Sequence, residues 1–404
     1  MKKLLFPLVA LLAVALIFQS CKKAKEVTIT NGITIQGLLS ITGSGSSLGI
    51  TSSAAMQVAA EDVNDYFASK EYNYSIGVNI VDTKQTADLA VSLFTNAKNN
   101  GIHFIVGPQS SAELAALKPL ADQSNIIVVS QSSTAGSLAI AGDNIFRFCP
   151  SDKIEGAAMA NTIYKRGQTA LVTVALDDAG NKGLQASVGN AFVAKGGVVN
   201  PVTPYPVNTT DFTTVIASIK TKVASYNATY GAGKVAVYLA SFDDGALLMK
   251  SAATEPTLAA VKWYGGDGSV LNTKFTDDAV VADFAIATGF FSPSLGLPAA
   301  FEPQYAPVAK RIKDKTKLNA DAFALAAYDA VWAIAYTIEA NNGDVSDFAK
   351  LKTSFVEQAN KHQGITGDDK LDEFGDRASG TFDYFGITKT GTIYSWVLVG
   401  KSDD

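Results

Sequence analysis

The stretch IHFIVGPQSSAELAALKPLADQSNIIVVSQSST, residues 102–134, decides the fold. Residues 105–106 and 126–129 are short β-branched runs bounded by turn residues, the pattern of strands buried on both faces. Each run ends in small polar residues: Pro108-Gln109-Ser110-Ser111 after the first, Ser130-Gln131-Ser132-Ser133-Thr134 after the second. Between them residues 112–122 have helical spacing, with Ser110 or Ser111 as the N-cap. In a parallel sheet both polar loops emerge side by side on one edge, and open α/β sheets bind ligands at that edge. A helix N-terminus and clustered hydroxyls there suit an anionic group such as a carboxylate.

Outward from this unit the alternation continues. Residues 33–40 and 75–81 read as strands, and 54–68 and 87–97 as helices. After Pro150 the rhythm restarts with helix 154–166, strand 170–175, helix 183–195 and strand 197–202. Helices near 212–224 and 245–253 then alternate with strands 234–239 and 261–264. A βαβα rhythm implies a doubly wound parallel sheet. Its restart, in a chain of 404 residues, predicts two similar lobes rather than one wide sheet. Residues 322–339 form a longer helix with Phe323, Leu325, Tyr328, Trp332 and Ile338 on a wide apolar face. Residues 380–383 and 391–399 read as a closing hairpin.

Composition narrows the function. Hydrophobic residues make up 47% and charged residues 18%, so a folded core is expected. A net charge of −5, with no basic block among aromatics, argues against nucleic acid as a partner. The N-terminus has the layout of an export signal over residues 1–20: Lys2-Lys3, an apolar run over 4–18, then Gln19-Ser20. Cys21 follows a small residue at the end of that run and resembles the lipidated cysteine of bacterial lipoproteins, with 21–27 as a polar tether. Plain secretion, with Cys21 incidental, is the other reading of the same residues. Cys149 is then alone, which excludes a disulfide framework and a CxxC metal site, and its apolar setting reads as a packed, inert thiol.

Catalytic material is sparse. His103 and His362 are the only histidines, and neither neighbours a hydroxyl nucleophile in sequence. No HExxH or paired-His spacing occurs, so neither a metal nor a catalytic group is predicted. Asp368, Asp369, Asp372, Glu373 and Asp376 form an acidic run without a calcium-loop spacing and read as a solvated loop. Gly43, Gly45 and Gly49 are one residue off the dinucleotide fingerprint, so residues 42–49 read as a ligand-facing loop and no cofactor is expected.

In order and spacing these pieces resemble the type I periplasmic solute-binding proteins of branched-chain amino acid and amide ABC transporters, the group of the Leu/Ile/Val-binding proteins. The resemblance covers about residues 33–400. It is carried by Gly37 to Gly49 before Glu61-Asp62-Val63-Asn64, by Val106-Gly107-Pro108 with Ser110-Ser111, and by Ser130 to Thr134. Phe146-Arg147, Pro150-Ser151-Asp152, Tyr264-Gly265-Gly266-Asp267-Gly268, Tyr328-Asp329-Ala330 and Gly380 to Gly391 complete it. It implies two Rossmann-like α/β lobes joined by three crossovers near Pro150, Gly289 and Gly380. Lobe one is then 28–150 with 292–378, and lobe two 151–291 with 379–404. It further implies a non-enzymatic, exported, lipid-anchored protein that closes on an amino acid-like ligand and delivers it to a transporter permease. A ligand-sensing receptor module of the same fold is the alternative.

Carried across residue by residue, Ser111 and Thr134, with Ser132 and Ser133 beside it, fall where hydroxyls hold a ligand carboxylate. Asp267 falls where an acid meets the α-ammonium, although turn formation alone also accounts for an Asp among these glycines. Leu48, Gly180 and Phe242 stand where aromatic or tyrosyl side chains are common, and Gly180 leaves space there. Asp177-Asp178 reads equally as a solvated loop or a ligand contact of lobe two.

Overall fold

The computed structural model describes residues 29–403 except Ala232. The export segment 1–20, the tether 21–27 and Cys21 lie outside the described residues. Strands β1 (Asn31–Leu39), β2 (Tyr74–Asp82), β3 (Phe104–Val106), β4 (Ile127–Ser130) and β5 (Ile145–Arg147) form one parallel sheet, in the order β2-β1-β3-β4-β5. A second sheet holds β6 (Ala170–Ala175), β7 (Val198–Pro201), β8 (Val235–Ala240), β9 (Lys262–Gly265) and β10 (Phe291–Leu295). A two-residue ladder, β11 (Gln363–Gly364) with β12 (Gly367–Asp368), precedes the hairpin of β13 (Phe382–Thr390) and β14 (Ile393–Lys401). That hairpin joins the second sheet, whose order is β14-β13-β10-β9-β8-β6-β7. Strands β3, β4, β6 and β8 are buried along their whole length, as strands covered by helices on both faces must be.

The second crossover lies later than the sequence indicates. β10 pairs with β9 on one side and β13 on the other, so residues 292–295 belong to lobe two and the chain leaves it after Leu295. The sequence of β10, FSPSL, alternates Phe291 and Leu295 with serines but carries a central proline, which argues against a strand inside a sheet.

Helices α1 (Ser46–Ser69), α2 (Ala87–Asn99) and α3 (Ser111–Ala121) cover the first sheet. Helices α4 (Asp152–Lys165), α5 (Ala179–Ala194), α6 (Thr213–Tyr230), α7 (Asp244–Ala252) and α8 (Ala279–Thr288) cover the second. Then α9 (Glu302–Thr316), α10 (Ala322–Ala340) and α11 (Phe348–Lys361) return to the first. α10 is apolar nearly all round and packs on α1 through Leu325, Val331 and Ile334 against Val58, Val63 and Phe67. At about 1.5–3 kcal/mol for each fully buried side chain of this size, that contact outweighs any surface ion pair in the lobe. Asp321 caps α10, its carboxylate accepting from Ala324 N at 2.9 Å and from the Thr51 hydroxyl of α1. Gly49 lets the first turn of α1 rest on the end of β1, since a Cβ there would stand 2.0 Å from the Ser40 carbonyl oxygen.

The acidic run 368–376 is solvated only in part: Asp368 and Glu373 are exposed, whereas Asp369 and Asp376 are buried. Asp369 is fully buried and meets His362 Nδ1 at 2.7 Å and Arg377 Nη1 at 3.4 Å. Asp376 accepts both ends of the Arg147 guanidinium fork, and Arg147 and Asp376 are 1% and 3% exposed. Arg147 Nη1 also donates to the carbonyls of Ser133 at 3.0 Å and Ala135 at 2.7 Å. Removing one member of a buried pair leaves the other charge uncompensated, at a cost of about 3–5 kcal/mol. Asp376→Asn is therefore expected to lose that much stability in urea unfolding, whereas Asp314→Asn, at an exposed i,i+4 pair with Lys310, should lose under about 0.5 kcal/mol. Similar losses for the two variants would show that the Arg147 pair does not anchor the lobe.

Candidate ligand-binding site

The start of α3 divides two adjacent serines between two tasks. Ser110 is the N-cap: its Oγ accepts from Glu113 N at 3.3 Å, and the Glu113 carboxylate accepts from Ser110 N at 3.1 Å and Ser110 Oγ at 2.7 Å. Ser111 is the first helical residue, and its Oγ accepts from Ala135 N at 3.1 Å, which ties the two polar loops together and leaves its proton for a ligand. In the second loop Ser132 Oγ donates to the Gln109 carbonyl at 2.8 Å. Ser133 turns the other way: it is fully buried, and its hydroxyl reaches the Pro108 carbonyl at 3.3 Å. The Thr134 carbonyl accepts from Asp152 N at 2.8 Å, at the start of α4.

The second lobe supplies the facing wall. Asp267 opens a 3-10 turn directly after β9, Phe242 follows β8, and Gly180 lies in the first turn of α5. Ser111, Ser132, Thr134, Leu48, Gly180, Phe242 and Asp267 together line one cavity between the lobes, joined by Ser110, Asn181, Leu184, Gly268 and Phe323. Ser133 is not among them. Cys149, buried and unpaired, packs behind the Leu48–Phe323 wall, and burial pushes its thiol pKa well up. Gly180 lines the cavity, but little room stands above it: a Cβ there would lie 3.3 Å from Ser111 Oγ and 3.4 Å from Asp178 Oδ1. Glycine at this position lets the N-terminal ends of α3 and α5 meet. Asp178 caps α5, accepting from Asn181 N at 2.9 Å, while Asp177 pairs with Lys182 on the surface.

Asn181, Leu184 and Phe323 were not identified from sequence. An Asn and a Leu one turn apart on α5 carry no signal beyond helix packing. Phe323 lies on the predicted apolar face of the α10 helix and reads there as ordinary core. Two acids behind the cavity were missed as well. Asp152 and Glu155, one turn apart on α4, are 2% and 1% exposed and back onto Asp267. Burial, with the Asp267 charge added to it, raises Asp152 to about 7 against the pull of the Thr134 hydroxyl. Burial also raises Asp267 and, more strongly, Glu155. No Lys or Arg lines the cavity. The wall of the first lobe therefore offers hydroxyls and a helix N-terminus, and that of the second a half-buried carboxylate.

The lobes are drawn together across this space. Asp243 N donates to the Ser44 carbonyl at 3.1 Å, and the Ser46 and Ser47 hydroxyls each reach the Asp243 carboxylate at 3.4 Å. The enclosed cavity is only about 20 Å³, on the order of one or two waters, so anything larger enters when the lobes part. A broader groove of about 860 Å³ lies at the rim, lined by Gly43, Ser44, Asp243, Asp244 and Lys250 among others. Volume favours the groove; convergent polar chemistry favours the cavity, and chemistry decides recognition.

The family model for the receptor family ligand binding region matches residues 51–390. The Leu/Ile/Val-binding protein BraC3 of Rhizobium johnstonii is 25% identical over 371 residues, 90% of this chain and 91% of that one. The leucine-binding protein LivK of Thermotoga maritima superposes with a TM-score of 0.72 at 21% identity, covering 91% of this chain and 98% of its own. A solute-binding protein of an ABC transporter from Rhodopseudomonas palustris, solved with p-hydroxybenzoic acid, gives a TM-score of 0.74 at 15% identity, over 92% and 97%. With most of its length matched, the chain belongs to the receptor ligand-binding-region family and has the type I periplasmic binding fold.

Proposed function

We propose that this is an exported, Cys21-anchored solute-binding protein that captures a small zwitterion, an amino acid or related amide, and hands it to an ABC transporter permease. The observation that carries this reading is the polarity of the cavity, with Ser111, Ser132 and Thr134 opposite Asp267. A ligand carboxylate meets the Ser111 hydroxyl and the start of α3, and its ammonium meets Asp267, each by charge-assisted hydrogen bonds. The leucine-binding relatives support an amino acid. The hydroxybenzoate complex argues for an aromatic acid, but an anion alone would leave Asp267 half-buried without a counter-charge. A sensing module is the second reading, favoured by the receptor description of the family. Binding of the loaded protein to a permease, rather than to a signalling partner, would decide for transport.

Calorimetry of ligand-stripped protein against amino acids, amides and hydroxybenzoate is the direct measurement. No heat at millimolar concentration of any amino acid or amide would end the zwitterion reading. Asp267→Ala is expected to weaken an amine-bearing ligand at least about 100-fold, near 2.7 kcal/mol, with the unfolding transition retained. Ser111→Ala removes one hydrogen bond to a charged group and should cost about 10-fold or more. An unchanged dissociation constant in either variant would move the ligand elsewhere.

A further inference from the structure

We infer that Glu155 serves as a neutral carboxylic acid that donates to the Asp267 carboxylate, so that the pair presents a single negative charge to the cavity and selects a ligand with a single ammonium. The inference rests on the proposed zwitterion site and names what sets its charge.

The geometry comes first. Glu155 lies on α4, wholly buried behind Asp267, and its Oε1 accepts from Asp267 N at 3.3 Å. Its Oε2 is buried and accepts no close hydrogen bond among the described residues, and only the neutral hydroxyl of Tyr238, itself without another partner there, faces Glu155 as a side-chain donor. An ionised carboxylate in that position would leave a charged oxygen unsatisfied, at a high desolvation cost. A protonated one turns the same oxygen into an O–H donor, with the Asp267 carboxylate within hydrogen-bonding reach as its acceptor. Glu155 then holds Asp267 at two points, accepting from its backbone and donating to its side chain. Asp267 is the member that faces the cavity, so it carries the charge.

The surrounding groups push the same way. Facing Glu155 are Asp152 from α4, Asp267 from the turn after β9, Tyr238 from β8 and Tyr384 from β13. None is cationic. The nearby guanidinium, Arg147, bears on Asp152 but is engaged by Asp376. Burial first, then the Asp267 charge, raises Glu155 well above the usual carboxylate range. Two carboxyls this close do not both ionise while buried, so one proton stays between them. With an ammonium bound, the trio of acid, carboxylate and ammonium is neutral overall. A second cationic group on the ligand would meet no further carboxylate on the cavity lining.

The sign for stability follows. A carboxyl whose folded pKa is raised binds a proton in the folded state that the unfolded chain has released. Its contribution therefore falls as pH rises from the ordinary carboxylate range towards the folded value.

The test uses wild type, Glu155→Gln and Glu155→Ala, all without ligand first. Urea midpoints are followed from about pH 5 to about pH 9. The wild-type midpoint should fall with pH more steeply than that of Glu155→Gln, which keeps a donor and cannot ionise. Equal slopes would overturn the proposal, since Glu155 would then hold no extra proton. L-leucine and L-lysine are the probes in the second stage. L-leucine should bind Glu155→Gln within about 3-fold of wild type, and Glu155→Ala at least about 10-fold more weakly. Loss of L-leucine binding in Glu155→Gln equal to that in Glu155→Ala would mean that Glu155 acts as an anion, and would overturn the proposal. Binding of L-lysine more tightly than L-leucine by wild type would do the same. Should wild type bind no amino acid at all, the zwitterion reading fails, while the urea slopes still decide the protonation of Glu155 for or against.

Discussion

The fork of Arg147 is the constraint from which the first lobe's half of the site hangs. A guanidinium buried to this depth is tolerable only when its donors are met, and here Asp376 and the carbonyls of Ser133 and Ala135 meet them. The loop after β4 has no ladder of its own beyond Ser130, so these bonds do for it what a neighbouring strand does for a sheet. Ser132 and Thr134 take their positions from that loop, and Ser111 joins it through Ala135 N. The hydroxyl end of the cavity is thus assembled before any ligand arrives, and little ordering remains to be done on binding.

Where local sequence carried the physics, the fold was legible. The β-branched runs around β3, β4, β6 and β8 announce strands buried on both faces, and the apolar breadth of α10 announces a core helix. β10 was not legible, because Pro293 hides a strand whose hydrogen bonds are fixed by partners on either side. The acidic run near the C-terminus misled for a related reason. Asp376 lies 229 residues from Arg147, and a charge reads as solvated until its partner is known.

The site shows the same division. A row of hydroxyls at a strand end identifies a polar loop, but in an extended segment successive side chains alternate, so Ser132 and Thr134 line the cavity while Ser133 does not. Gly180 suggested a vacancy from sequence, yet its lack of a side chain serves the approach of two helices from opposite lobes. Glu155 and Asp152 give no sign in sequence beyond a helix start rich in acids, which the helix dipole alone would explain. Their weight comes from burial, which only the folded lobe creates.

The bonds that cross from Ser44, Ser46 and Ser47 to Asp243 are few, and those made by the two hydroxyls are long and partly wetted at the rim. Each is worth about 1 kcal/mol or less net of lost water contacts. Together with the Ser47–Asn272 bond they add only a few kcal/mol to what the side chains packed around the cavity supply, and a solute that bridges the two walls adds to the same side. The same arithmetic runs backwards. Any contact that prefers the lobes apart has to offset only those same few hydrogen bonds at the rim.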